Sequence, residues 1–243
     1  MKKDHPVISV VVPCYNEEQV LPFYYSEMNQ LMDQMKQVEF EIIFVDDGSS
    51  DDTLNTLKQL NKKDKRCKYI AFSRNFGKEA ALYAGLDKTQ GKYVVVMDAD
   101  LQDPPPYIPQ MYEILQTEDY DCVATYRSDR KGERAIRSLF SKMFYRVINR
   151  ITQVQMKQGA RDYRMMKRGM VDALLSLKEK NRFSKGMFEW VGFRTKWLEY
   201  HNVERVAGDT KWSFLKLTKY AIDGIIGFST FPLTLVSWIG LVF

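Results

Sequence analysis

Histidine is nearly missing: His5 and His201 are the only two in 243 residues, which makes a zinc site a poor expectation. Cysteine is scarce as well. Cys14, Cys67 and Cys122 are odd in number and widely spaced, and two of them sit in apolar, strand-like runs. Buried, reduced thiols are expected rather than a disulfide framework, and with them a cytosolic compartment. No Gly-x-Gly-x-x-Gly and no Gly-x4-Gly-Lys-Ser/Thr occurs, so neither a dinucleotide fingerprint nor a P-loop is present. The first stretch, MKKDHPVISVVVPCYNEE, lacks a signal-peptide core, because its apolar run is brief and ends in Pro13 and two acids. Internal repeats and low-complexity tracts are absent too. Lys and Arg exceed Asp and Glu by only 36 to 31, and a nucleic-acid partner is not expected.

What is present is an alternation. VISVVVPCY (7–15) reads as a buried strand, EEQVLPFYYSEMNQLMDQM (17–35) as a helix with acids in its first turn, and EFEIIFVDD (39–47) as a second strand. Asp51 or Asp52 can cap a helix from Thr53 to Leu60. A strand CKYIAFSRN, a helix GKEAALYAGLDKT ended by Gly91, and strands KYVVVMDAD and DYDCVATYR follow. Strands alternating with helices at these lengths predict an α/β fold with a mainly parallel sheet. Ligands of such sheets collect beyond the carboxyl ends of the strands.

The strand ends are acidic. Asp98 and Asp100 in DADLQDPPP are expected to point into one crevice, and Asp103 beside Pro104 to cap the next helix. Hard oxygen donors of this kind suit Mg²⁺ or Mn²⁺, which take one or two carboxylates plus substrate phosphates. Asp46 and Asp47 close the second strand in the same manner. Two acidic strand ends in one sheet point to a site for a base, a ribose and a metal-bound diphosphate.

PCYNEE, FVDDGSSDDT, SRNFGKEAAL and MDADLQDPP, in this order, resemble the family 2 glycosyltransferases of the GT-A fold. The nearest branch is the polyisoprenyl-phosphate glycosyltransferases, the dolichol-phosphate mannose synthase and GtrB type. The likeness runs from about Val7 to Trp212. It implies a GT-A, Rossmann-like mixed sheet flanked by helices, in a catalytic domain over 1–212. It implies that Pro13, Tyr15, Glu17, Asp47 and Lys78 contact the nucleotide sugar; the weaker alternatives are Glu17 as a helix N-terminal acid and Tyr15 as core. Asp98, Asp100 and Gln102 become the metal and diphosphate residues, with Mg²⁺ or Mn²⁺ as cofactor. Asp162, in GARDYRMM, takes the place of a carboxylate near the acceptor, as general base or as an orienting group. The reaction implied is inverting transfer of one sugar to a lipid phosphate. Processive members carry a Gln-x-x-Arg-Trp motif, which is absent here.

The segment after Arg127 is rich in Lys and Arg. Read as a helix, it sets Leu139, Phe140, Met143, Phe144, Val147 and Ile148 on one face and Lys142, Arg146 and Arg150 on the other. That pattern suits a membrane surface or a helix packed on the core. The resemblance assigns Arg127, Arg137 and Ser141 to the lipid phosphate, and Arg205 and Lys211 to a loop closing on the donor diphosphate. Residues 213–223 form a juxtamembrane amphipathic segment in this reading. The uncharged GIIGFSTFPLTLVSWIGLVF (224–243) has the ~20 residues of a transmembrane helix. Lys216 and Lys219 before it place the catalytic domain on the cytoplasmic side of the cell membrane, and a further membrane helix is expected beyond Phe243. UDP-glucose and undecaprenyl phosphate are the substrates chosen. GDP-mannose or another UDP-sugar, and a non-catalytic membrane-tethered scaffold, are the alternatives, with a homo-oligomer left open.

Overall fold

The computed structural model of the chain describes residues 7–127, 149–150, 157–200, 226–229 and 231–242. Strand β1 (Val7–Cys14) is buried at every position from Ile8 to Val12, as a strand covered on both faces must be. It pairs in parallel with β2 (Glu39–Asp46) and β4 (Tyr93–Val96), and β3 (Cys67–Ala71) extends the sheet in parallel beyond β2. On the other side β6 (Ala160–Lys167) runs antiparallel between β4 and β5 (Cys122–Arg127), and β7 (Thr195–Tyr200) lies parallel to β5. The seven strands follow the order β3-β2-β1-β4-β6-β5-β7. The expected α/β architecture with a mixed, mainly parallel sheet is therefore the one observed.

Helices cover both faces. Val10 and Val12 of β1 point into a core with α1 (Leu21–Gln34), α2 (Thr53–Lys63) and α4 (Tyr107–Thr117). Val11 points the other way, against α3 (Lys78–Asp87), α5 (Arg168–Ser176) and α6 (Ser184–Trp190). All three cysteines are free and buried, as expected. Burial pushes the Cys67 thiol up to about 12 and the Cys122 thiol to about 11.

Several local expectations need correction. No acid lies in the first turn of α1, because Pro22, with its fixed φ and missing N–H, makes the helix begin at Leu21 and leaves Glu17 and Glu18 in the loop before it. Asp52 holds the N-cap position of α2 without a capping bond; Asp51 accepts from the Thr53 N–H instead, at 3.1 Å. Helix α3 stops at Asp87, before Gly91. Strand β4 ends at Val96, so Asp98 and Asp100 belong to the turn that follows rather than to the strand.

The tail is the largest departure. A helical turn over 226–228 is separated at Ser229 from α7 (Phe231–Val242). The ring of Pro232 would meet the carbonyl four residues back, at Phe228, which kinks or breaks a helix at this point. At 12 residues, α7 spans about 18 Å, short of the ~30 Å hydrocarbon core. Among the described residues no helix is long and apolar enough to cross a membrane. Residues 213–223, together with 224, 225, 230 and 243 of the expected span, lie outside the described set. Phe228 packs between Phe183 and Trp190, over Gly186, while Val236, Trp238 and Leu241 of α7 are largely exposed.

Candidate active site

The register between β4 and β6 brings the key carboxylates together. Val96 pairs with Arg164, and continuing the antiparallel register two residues past the strand end sets Asp98 opposite Asp162. Two carboxylates facing each other at a sheet edge repel unless a cation lies between them. Lys78, the first residue of α3, supplies it. Its ammonium is 2.7 Å from Asp98 Oδ1, 2.9 Å from Asp98 Oδ2 and 2.7 Å from Asp162 Oδ2. Burial lowers the Lys78 pKa, but Asp162 and Asp98 outweigh it and hold the ammonium well above the usual lysine range. For Asp162 burial acts upward; Lys78, then Lys185 of α6, then Arg164 outweigh it and keep the carboxyl well below the usual carboxylate range. Asp162 is ionised at any working pH. Its second oxygen, Oδ1, is buried without a hydrogen-bond partner.

The turn after β4 is held from beneath by Asp103. This residue is 1% exposed. Its carboxylate accepts from the Asp98 N–H at 3.2 Å, the Tyr200 hydroxyl at 3.2 Å and Arg161 at 3.4 Å. Burial lifts it to about 6, against the lowering by Arg161. The N-cap of α4 is Pro106, so Asp103 does not cap that helix as expected; it ties the turn to β6 and β7. Leu101 takes φ 56°, a left-handed conformation that ordinary residues adopt at a cost and that clusters at functional sites. Asp100 stands beside it, with Oδ1 accepting from the Gln102 N–H at 3.1 Å.

On the nucleotide side two loops are sewn together. Asn16 (φ 54°) donates its N–H to Ser49 Oγ at 2.9 Å and accepts from the Ser50 N–H at 2.8 Å. The Glu17 N–H donates to Thr53 Oγ1 at 2.7 Å. Asp47 turns its carboxylate onto the amides of Phe76 and Gly77, at 2.7 and 2.9 Å, and thereby anchors the backbone that carries Lys78. Gly48 has φ 65°, and a Cβ there would lie 2.3 Å from the Arg74 carbonyl carbon. Only glycine lets this loop lie so close to its neighbour.

Pro13, Tyr15, Glu17, Asp47, Lys78, Asp98, Asp100, Gln102 and Asp162 thus gather along one edge of the sheet, where β1, β2 and β4 end and β6 begins. Arg127 ends β5 at the same edge, with Nε buried and unpartnered. Arg137, Ser141, Arg205 and Lys211 lie outside the described residues. Sequence reasoning missed Arg161 and Arg164 around Asp162, and Glu79, whose carboxylate accepts from both the N–H and hydroxyl of Ser184 and ties α6 to α3. The adjacency of Glu79 to Lys78 was the available signal. Among the described residues, no three His, Cys, Asp or Glu side chains stand grouped as a metal site. The chemistry of Asp98, Asp100 and Gln102, hard oxygens within one turn, fits a divalent cation that completes its shell with phosphate and water.

The fold has known counterparts. A mannosyltransferase from Pyrobaculum calidifontis, solved with GDP-mannose and Mn²⁺, aligns over 93% of this chain and 64% of its own, with TM-score 0.61 at 16% identity. The fold is accordingly GT-A-like. Residues 9–175 match the model of Glycosyl transferase family 2, and the chain belongs to that family. The Bacillus subtilis protein CsbB, which carries a glycosyltransferase name, is 44% identical over 97% of this chain and 70% of its own. The bactoprenol glucosyl transferase of Shigella phage SfX is 41% identical over 96% of this chain and 76% of its own.

Proposed function

We propose that the protein transfers one glucose from UDP-glucose to undecaprenyl phosphate, with inversion, at the cytoplasmic face of the membrane. The observation that carries this reading is the pair Asp98–Asp162 bridged by Lys78, next to Asp100 at the carboxyl edge of the sheet. The bactoprenol glucosyl transferase name of a 41% identical relative supports the lipid acceptor and the sugar. The exposed apolar side chains of α7 support a membrane surface.

In this reading Pro13, Tyr15, Glu17 and Asp47 line the nucleotide pocket, and Arg205 and Lys211 close on its diphosphate. Arg127, Arg137 and Ser141 receive the acceptor phosphate. A phosphate oxygen forms the new bond to the anomeric carbon as the bond from that carbon to the UDP oxygen breaks. A phosphate monoester has its second pKa near ~6, so the nucleophile is already anionic and no proton has to be removed. Asp162, fixed as a carboxylate by its cations, therefore orients in this reading: its unpartnered Oδ1 would accept a hydroxyl. A Mg²⁺ or Mn²⁺ held by Asp100, with oxygens of Asp98 and Gln102 to draw on, would compensate the charge developing on the leaving diphosphate.

The test is transfer of radiolabel into the organic phase from UDP-glucose or GDP-mannose, with undecaprenyl phosphate and Mn²⁺. Label from UDP-glucose alone, lost by at least ~10²-fold in Asp100→Asn, is the expected result. Label from GDP-mannose instead would overturn the choice of donor. UDP binding without transfer of either label would overturn the acceptor or the sugar.

A further inference from the structure

Lys78 does more to Asp98 than a single ion pair would. Its ammonium touches both oxygens of that carboxylate, at 2.7 and 2.9 Å, while also holding Asp162 at 2.7 Å. Mg²⁺ binds carboxylate oxygen at about 2.0–2.1 Å. An ion seated on the lone pairs that the ammonium now faces would be brought against it, so the chelating face of Asp98 is occupied as long as Lys78 holds it. In a partly buried site such a like-charge contact is poorly screened. The metal and Lys78 thus compete for the same carboxylate.

We propose that Lys78 is a resident counter-ion that withholds Asp98 from divalent metal until a nucleoside diphosphate draws its ammonium away, so that metal and donor bind together. The inference rests on the reading of Asp98, Asp100 and Gln102 as the metal residues. The side chain is 26% exposed while its backbone is fixed: Asp47 holds the amide of the preceding Gly77. A diphosphate offers the ammonium a more highly charged partner than a single carboxylate does. Once Lys78 has moved onto it, Asp98 is released to the metal, and Asp162 keeps Lys185 and Arg164 as its cations. Coupling of this kind is reciprocal, so metal must raise nucleotide affinity by the same factor. One consequence is that free metal alone loads the protein poorly and does not neutralise the carboxylates that the donor must meet.

Mn²⁺ binding, followed by loss of the free-ion EPR signal with and without UDP, tests this in the wild type, Lys78→Met, Lys78→Arg and Lys185→Met. Without UDP, Lys78→Met is expected to bind Mn²⁺ about tenfold more tightly than the wild type, with the enhancement by UDP reduced to match, within the ~5–150-fold usual for coupled sites. Lys78→Arg keeps the wild-type pattern. Lys185→Met, which removes a cation near Asp162 and leaves Asp98 paired, shifts the UDP-free affinity less than Lys78→Met does. Unchanged or weaker Mn²⁺ binding in Lys78→Met overturns the proposal, as does an equal shift in both methionine variants, which would mean a diffuse field effect. Should Lys78→Met fail to fold, Lys78→Gln is judged by the same criterion. A wild type with equal Mn²⁺ affinity in the presence and absence of UDP overturns it as well. Absence of any Mn²⁺ binding with UDP present would instead sink the metal reading beneath it.

Discussion

Asp162 carries a charge that its burial opposes, and the cations around it decide what it can do. A general base works best with a pKa near the operating pH, whereas Lys78, Lys185 and Arg164 hold Asp162 far below that. The sign is clear: a carboxyl with a depressed pKa is fully ionised above the ordinary carboxylate range and changes state only in strong acid. The acidic limb of kcat/KM against pH should therefore follow the acceptor phosphate, near ~6. Asp162→Asn is expected to lower kcat by about 10²-fold through lost orientation while leaving that limb in place. If the limb vanishes in the variant, Asp162 is the base after all.

Between elements, one of the closest fits is made by loops. The loop after β2 lies against residues 74–75, and Gly48 is where they meet. Gly48→Ala combines a positive φ with a clash against backbone and should cost about 1–3 kcal/mol, read as a lower urea midpoint with unchanged m-value. Gly169 in α5 is the opposite case: a Cβ there meets nothing within 4 Å. Gly169→Ala should stabilise by about 0.5–1 kcal/mol, because alanine suits a helix better. The first five strands were legible in the sequence because apolar, β-branched runs admit few other readings, and the acids at their ends marked the site edge; β6 and β7, whose runs are broken by charged residues, were not. The bridge from Lys78 to Asp162 was not legible. It spans 84 positions and exists only because β6 enters antiparallel between β4 and β5, a pairing that no local pattern announces. Asp103 was misread for a related reason: its place before Pro104 imitates a helix cap, while its true partners, Arg161 and Tyr200, arrive from two distant strands.

Across the whole molecule the three thiols report on integrity. Each is buried, in β1, β3 or β5, and burial raises Cys67 and Cys122 far above neutrality. Iodoacetamide at pH 8 should leave all three unmodified in the folded protein and label all three in denaturant, as read by intact mass. Rapid labelling of any of them under native conditions would show that the sheet opens readily.

The place of β6 in the sheet also orders events during synthesis. Strands β1 to β4 leave the ribosome in an arrangement that can pair in sequence, but the edge they form is half a site. Asp162 and Arg164 follow only once β6 has been made and inserted beside β4, a gap of seconds at ordinary elongation rates, and Lys185 later still. Through that interval Asp98 and Lys78 have only each other. A ribosome-bound chain stopped before residue 160 lacks Asp162 and should therefore be unable to transfer sugar, and competence should appear only after β6 and the cations beyond it have emerged rather than build up strand by strand.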